Sequence, residues 1–494
     1  MNDHALRLLL QDPRLAELAA YPFDFDVERA GYGHVEPVRL ASGGPLRIIA
    51  GDAGGGTYFV CEDGSVLYAD SEGSAGIVGA SVDEALEIMI GLEDAEDHDE
   101  DDEDTEDGGG LGLERARTEL RAALGFVERP RAELEALLDA ALARTEPDFL
   151  LLNAEEGRAY DLIGPPPPPL WEPVLAAGRA DLAALRTPDR AVWDAVAEAP
   201  VRRRLALRAA QFDRAEGDLA LLRHLLRHEA RSSMRDELRL AAVLVGHYGR
   251  AEDLPLLDEV RRTDFDTACG LSELPGPAAD PAELRRWARE TDALLFGADP
   301  ADEPLYTWTD LAVDQGLTNL ARCALIRRFD AIELDQGLLR QDGDPTRLDT
   351  AELSSLVDDF ERIGEPGQAL RVQRLHTALQ EAACDRVSAR LTQARLEREA
   401  GLLPSADRTL AALRGTLAEP GDDSLGFWRG TSLGRYIAEE HFELALALAD
   451  AGSGEEARAV VGAAEAIRGE LAEFPARGVR ELAERAAGRV RGLS

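Results

Sequence analysis

The sequence contains no lysine, so all 54 of its basic residues are arginines. This absence excludes mechanisms that need a lysine amine, which are the Walker A phosphate loop, the protein-kinase strand lysine and Schiff-base catalysis. Aromatic residues make up only 5% of the chain, so we expect no stacking platform for single-stranded nucleic acid. Long apolar runs are also missing, and we expect neither a membrane span nor a signal peptide.

Cysteine is scarce as well. The four cysteines are irregularly spaced and include no CxxC pair: Cys61, Cys269, Cys323 and Cys384. This pattern favours free thiols in a reducing cytoplasm over disulfides or a zinc site. We therefore expect a cytoplasmic protein without a metal or another cofactor.

Acidic residues are abundant, and the formal net charge is −41. Twelve acids fall within the 15 residues 93–107. A segment that repels itself and has little to bury predicts a disordered linker over 93–110. Its pattern does not match the EF-hand calcium loop. The overall charge disfavours nucleic-acid and membrane partners and favours a basic protein partner.

The length of 494 residues predicts about two to four domains or a repeat array. Residues 36–79 alternate short β-rich runs with glycine-rich breaks, and Ser81 and Glu84 form a capping-box pattern at the start of a helix over 81–92. The sequence therefore predicts an α+β fold with an antiparallel sheet for the N-terminal domain and a mostly α-helical solenoid after it. The predicted segments are an α+β domain (1–92), the acidic linker (93–110), a helical connector with a polyproline run (111–170), a HEAT-like region (171–345) and TPR-like repeats (346–494).

The helical part shows a weak internal repeat. Three segments share a helix rich in Ala and Leu, a glycine break and a second helix, with the breaks at Gly364, Gly401 and Gly452. This layout resembles tetratricopeptide repeats, and residues 238–260 resemble a HEAT-type helix pair. Helix pairs that are apolar on two sides stack into a solenoid. The alternative is an irregular helical bundle.

The glycines Gly54–Gly56 allow two interpretations, a phosphate-binding loop or the entry to a β-hairpin. The segment that follows them, TYFVCE, is rich in β-branched and aromatic residues and indicates a strand rather than a helix. Asp63-Gly64 then forms a favoured two-residue hairpin turn. That turn predicts the cross-strand pairs Cys61–Val66, Val60–Leu67 and Phe59–Tyr68. We favour the hairpin.

This segment resembles the SUKH superfamily, which includes fungal cell-wall-synthesis regulators and many bacterial immunity proteins. The resemblance rests on Gly55-Gly56, Asp63-Gly64, Tyr68-Ala69-Asp70 and the helix start Ser81–Leu86. It implies a SUKH-like fold over residues 1–92 and a protein that is not an enzyme. It further implies an immunity protein that neutralises a toxin, such as a basic nuclease toxin, through this module.

We predict that the partner contacts the hairpin and its surroundings. The predicted contact residues combine an aromatic anchor with acids: Tyr58, Glu62, Asp63, Asp70 and Glu72.

Two alternative functions stay open. In the first, the helical array recognises the partner and the protein is an adaptor or regulatory scaffold. In the second, His224 and His228, which lie at i and i+4 of one helix, hold a metal in a hydrolase. The zinc-peptidase pattern would place a glutamate at Leu225, and no third ligand is evident. The GTSLG motif (430–434) matches a nucleophile elbow, but Thr431 or Ser432 fits better as a helix N-cap.

Overall fold

The chain forms two compact units, Met1–Ala324 and Leu325–Ser494. The computed structural model describes residues 4–93, 109–232, 234–342, 350–419 and 425–492. The chain is 66% helical with a small sheet region near the N-terminus. This confirms an α+β N-terminal region followed by a mostly helical remainder. Most of the predicted acidic linker, residues 94–108, lies outside the described residues.

Where it is described, the first part of the first unit contains two β-sheets and five helices. The strands are β1 (Val38–Leu40), β2 (Arg47–Gly51), β3 (Thr57–Val60), β4 (Val66–Ala69), β5 (Ser74–Gly79), β6 (Leu151–Asn153) and β7 (Asp161–Leu162). The helices are α1 (His4–Gln11), α2 (Pro13–Ala20), α3 (Val82–Leu92), α4 (Gly109–Leu124) and α5 (Arg131–Leu142). One sheet has the order β2-β3-β4-β5-β7 and is antiparallel except for β7, which pairs parallel to β5. The other is the antiparallel ribbon β1-β6.

Apolar side chains cover both faces of the five-stranded sheet. On one face, buried residues of α1 to α4 pack against the hairpin at Tyr58, Val60 and Val66. On the other face, the ribbon β1-β6 and helix α5 pack against the sheet through residues such as Leu151. The sheet region thus includes elements beyond residue 92, where the sequence predicts that the domain ends.

The predicted hairpin of β3 and β4 forms, but its predicted register is wrong by one residue. The observed pairs are Val60–Val66, Phe59–Leu67 and Tyr58–Tyr68. The turn has three residues rather than two, because the Cys61 N–H donates to the Ser65 carbonyl at 2.9 Å and Gly64 has a φ of 94°. Such a loop adds a left-handed residue after a type I turn. The slip exchanges the two faces of β4, so Leu67 packs on the face of Phe59 rather than on that of Val60.

The start of α3 follows the predicted capping pattern in part. The Ser81 hydroxyl accepts a hydrogen bond from the Glu84 N–H at 3.1 Å, which confirms the N-cap. The Glu84 carboxylate accepts from the Ala80 N–H at 3.0 Å, one residue before the position that a capping box uses.

Nine further helices lie wholly within the described residues of the first unit. They are α6 (Trp171–Leu185), α7 (Arg190–Glu198), α8 (Pro200–Asp213), α9 (Leu219–Glu229), α10 (Asp236–Gly246), α11 (Leu254–Arg261), α12 (Phe265–Gly270), α13 (Pro281–Leu295) and α14 (Leu305–Asp314). Their core also contains charge. On α8, Arg203 and Arg204 share the fully buried carboxylate of Glu229, and Arg208 pairs with Glu237 at 3.0 Å.

The division between the two units falls within helix α15 (Thr318–Asp342). After α15, the second unit consists of helical hairpins. The helices of these hairpins are α16 (Thr350–Arg362), α17 (Pro366–Ala378), α18 (Ala383–Glu399), α19 (Leu403–Leu417), α20 (Ser432–Asp450), α21 (Gly454–Glu470), α22 (Glu473–Gly478) and α23 (Arg480–Arg491). The predicted breaks at Gly364, Gly401 and Gly452 are confirmed, since each lies between the two helices of a hairpin.

Candidate functional site

Tyr58 is part of the protein core. Its side chain is only 6% exposed, and its ring lies 5.0 Å from that of Phe25 and 4.8 Å from that of Tyr68. Burial raises the pKa of Tyr58 well above its ordinary value. The sequence-based expectation of an exposed aromatic anchor at this position therefore does not match its place in the structure.

The four predicted acidic contacts divide into two groups. Asp63 and Asp70 hold turns: Asp63 accepts from the Ser65 N–H and hydroxyl and pairs with Arg144 at 3.0 Å. Asp70 accepts from three consecutive backbone N–H groups, at residues 72–74. Burial disfavours its charged form, but these donors outweigh burial and lower its pKa. Glu62 and Glu72 form the second group, and both are exposed at the surface, where a partner can reach them.

The glycine cluster surrounds a carboxylate of the protein itself. Asp52 is 7% exposed, accepts from the Gly56 N–H at 2.7 Å and accepts from the Tyr68 hydroxyl at 2.6 Å. Gly56 is required because a Cβ there would overlap the Asp52 carboxylate and the Tyr68 ring. An anion would be repelled by Asp52, and a strand rather than a helix follows the glycines. This geometry supports the hairpin interpretation over a phosphate loop.

A pocket opens beside β2, which is the terminal strand of the five-stranded sheet. We call it the edge pocket. It is a cavity of about 420 Å³ lined by His34, Val35, Glu36, Pro37, Val38, Leu46, Ile48 and Phe59. Six of these eight side chains are apolar. At its mouth, Val35 is 60% exposed, and Tyr32, three residues earlier in the chain, is 82% exposed.

A chain of hydrogen bonds holds one wall of the edge pocket. Glu36 accepts from the Tyr160 hydroxyl at 2.6 Å and from the Asn153 amide at 2.7 Å. Because that hydroxyl donates to Glu36, its oxygen accepts from Nε2 of His34 at 3.0 Å. Nδ1 of His34 then accepts from the Thr57 hydroxyl, also at 3.0 Å. This arrangement places a proton on Nε2, and Nδ1 of the neutral imidazole accepts from Thr57.

Burial acts on the same groups electrostatically. It lowers the pKa of His34, against the opposing charge of Glu36. It raises the pKa of Tyr160, to which the hydrogen bond to Glu36 also contributes. Burial therefore favours the neutral forms of His34 and Tyr160, which are hydrogen-bonded to each other and linked to Glu36.

His34, Glu36 and Tyr160 are not among the contact residues that the sequence predicts. Tyr160 is 124 positions from Glu36 in the chain, and it meets Glu36 because β6, shortly before it, pairs with β1. The available signal was local: a lone histidine within "YGHVEPV", a segment of polar and apolar residues directly before β1.

His224 and His228 lie together as predicted, with ring centroids 4.8 Å apart. Nε2 of His224 is 3.3 Å from Asp194, and the ring lies 5.6 Å from that of Trp193. Burial lowers the pKa of both histidines. Among the described residues, no group of three or more His, Cys, Asp or Glu side chains is arranged to hold a metal ion. The histidine pair thus has the packing of a structural cluster.

Comparisons with known proteins identify no relative. A scan of protein-family models, a search of curated proteins and a search of solved structures each found no match to this chain. Among the helices that the structure describes, none combines the length and apolar character needed to cross a membrane.

Proposed function

We propose that this chain is a non-enzymatic protein-binding protein whose N-terminal module is SUKH-like and neutralises a toxin. The edge pocket is the observation that carries this proposal. It is an apolar cavity with exposed Val35 at its mouth and a glutamate in its wall. Aromatic and aliphatic side chains that enter such pockets supply most of the energy of protein interfaces.

The charge of the chain supports a basic partner. With a net charge of −41, the protein attracts a basic nuclease toxin and accelerates its encounter. The SUKH motif residues support an immunity role by resemblance. In the part of the chain that the structure describes, none of the four cysteines forms a disulfide, which agrees with a cytoplasmic place of action.

The helical hairpins of the second unit support a solenoid. We propose that the hairpins α16-α17, α18-α19 and α20-α21 are successive repeats of a solenoid. The similar layout of these hairpins and their glycine breaks support it. The hydrolase alternative has no third ligand beside His224 and His228 among the described residues, and we do not propose it.

Coexpression with a toxin gene encoded beside this one tests the proposal. We expect the full chain to restore growth and to form a complex with the toxin in solution. Val35→Asp places a charge at the mouth of the edge pocket and is expected to abolish both effects. Val127→Asp is the matched control, because Val127 is 75% exposed and does not line the pocket. Equal protection by the two variants would show that the edge pocket is not the contact.

A further inference from the structure

A cavity opens in the second unit between α18, α20 and α23. We call it the glutamate cavity. It has a volume of about 500 Å³, and its lining includes Leu391, Tyr436, Glu439, Glu440, Glu443 and Leu482. The four residues from α20 occupy positions i, i+3, i+4 and i+7, so they lie on one face of that helix. Two leucines, one from α18 and one from α23, add apolar surface.

All three glutamates have an arginine partner, and two of them accept hydrogen bonds from an arginine of another helix. Glu440 is 6% exposed and accepts two hydrogen bonds from Arg398, at 2.7 and 3.1 Å. Glu443 accepts from Arg485 at 3.2 Å. These bonds join α20 to α18 and to α23, and they hold the walls of the cavity in place.

Glu439 is less well neutralised than its neighbours. Its ion pair is with Arg435, and the two atoms are 3.4 Å apart. The Nε atom of Arg435 is buried and has no hydrogen-bond partner within the described part of the chain. Arg395 also lines the cavity, but its guanidinium binds Glu361 through two bonds, at 2.7 and 2.8 Å. The carboxylate of Glu439 therefore lacks a strong cationic partner.

The spacing of Glu439 and Glu443 adds to this imbalance. Like charges at i and i+4 of a helix repel each other. Burial raises the pKa of Glu439, Arg435 opposes that shift, and the charge of Glu443 adds to it. A cation placed between the two carboxylates would relieve both the repulsion and the incomplete pairing.

Tyr436 supplies an aromatic surface beside these acids. Its side chain is 46% exposed, and the guanidinium carbon of Arg435 lies 4.7 Å from the centroid of its ring. The ring thus already stacks with one guanidinium. Arginine matches such a site better than lysine, because a planar guanidinium donates to two carboxylates and stacks on an aromatic ring.

We propose that the glutamate cavity binds an arginine side chain that an extended segment of a partner protein presents. The guanidinium donates to Glu439 and Glu443 and lies beside Tyr436, while the aliphatic part of the side chain contacts the leucines. The cavity belongs to the second unit, so this inference does not depend on the edge pocket.

Fluorescence anisotropy with the full chain tests this proposal. The probe is a fluorescein-labelled peptide, Gly-Ser-Arg-Gly-Arg-Ser-Gly, and its control carries citrulline in place of both arginines. Citrulline keeps the shape of the side chain and removes its charge. We expect saturable binding of the arginine peptide and affinity for the citrulline peptide that is weaker by about tenfold or more, as loss of charge-assisted hydrogen bonds implies.

Two pairs of matched variants locate the binding. Glu439→Gln combined with Glu443→Gln is expected to weaken binding about tenfold. The control, Glu455→Gln combined with Glu456→Gln, removes the same charge from exposed positions of α21 and should change affinity by less than about twofold. Tyr436→Ala should weaken binding, whereas Tyr306→Ala, at a 43% exposed tyrosine of the first unit, should not.

Several results would overturn the proposal. Equal losses in the two glutamine pairs would mean that only the diffuse negative charge attracts the peptide. Equal affinity for the arginine and citrulline peptides would remove the role of the guanidinium, even if a variant fails to fold. If spermidine binds as tightly as the peptide and through the same glutamates, the ligand of the cavity is a small polyamine and not a protein segment. Val35→Asp must leave peptide binding unchanged, which separates this test from that of the proposed function.

Discussion

Nη1 of Arg414 donates a hydrogen bond to Nε2 of His441 at 2.8 Å, so the ring nitrogen that faces the guanidinium carries no proton. The other nitrogen, Nδ1, donates to the carbonyl of Ile437 at 2.7 Å. His441 is fully buried. Its neutral form is thus satisfied at both nitrogens, and a second proton would place two donors against each other.

This arrangement predicts that acid destabilises the second unit. Burial lowers the pKa of His441 to about 4, against an ordinary value of 6.5. Between these two values the unfolded chain binds more protons than the folded chain, so the free energy of unfolding falls as the pH falls. The loss from this residue is expected to approach ~3 kcal/mol between pH 6.5 and pH 4.

Urea unfolding followed across that pH range measures the effect. His441→Gln keeps a donor for Ile437 and an acceptor for Arg414 but does not titrate, and it should flatten the dependence on pH. His4→Gln, at an exposed histidine, should leave the dependence as it is. An unchanged slope in His441→Gln would contradict the assignment of the neutral form.

Local patterns in the sequence predicted the helices better than the sheet. The glycine breaks of the helical hairpins and the Ser81 cap depend on residues near each other in the chain, and both were confirmed. The hairpin register depended on whether Gly64 ends a two- or three-residue turn, which the dipeptide Asp63-Gly64 does not distinguish. Strand β7 is only two residues long, Asp161–Leu162, and exists through its pairing with β5. No periodicity could reveal it.

The glycine cluster provides a second prediction. Gly56→Ala would force a methyl group against the Asp52 carboxylate and the Tyr68 ring, all within a buried region. We expect a loss of ~2–3 kcal/mol in the free energy of unfolding, typical of overpacking. Gly54→Ala is the control, because its Cβ would have an ordinary contact of 3.4 Å with Asp52. Thermal unfolding compares the two variants, and equal midpoints would disprove the close approach at Gly56.

A third prediction concerns the wall of the edge pocket. Tyr160→Phe removes the donor to Glu36 and the acceptor for His34, and it should lower the free energy of unfolding by ~1–2 kcal/mol. Tyr32→Phe is the control, since Tyr32 is 82% exposed and its hydroxyl faces solvent. The measurement is urea unfolding at neutral pH. If both variants unfold at the same urea concentration, the hydrogen-bond chain does not stabilise the wall.

The edge pocket shows why the site was harder to predict than the fold. The predicted contacts are aromatic or acidic residues on or near the hairpin. Tyr58, however, lies in the core, and the Asp70 carboxylate accepts hydrogen bonds from the backbone of its own turn. The residues that form the pocket come from the segment that leads into β1, from β2 and the residue before it, and from β3. They come together because the ribbon packs on the sheet, and these long-range contacts cannot be recognised from a local sequence pattern.

The buried ion pairs of α8 give a fourth prediction. Glu229 is 0% exposed and receives Nε of Arg203 at 2.5 Å and Nε of Arg204 at 3.2 Å. Glu229→Gln leaves the buried guanidinium of Arg203 without its counter-charge and leaves Arg204 only the longer ion pair with Asp314, at 3.7 Å. It is expected to cost ~3–5 kcal/mol. Glu252→Gln is the matched control, because Glu252 pairs with Arg223 at the surface and is 69% exposed. It should leave the free energy of unfolding close to that of the unsubstituted chain, because an exposed ion pair contributes little. Urea unfolding of the full chain compares the two variants, and similar losses would show that water reaches the carboxylate of Glu229.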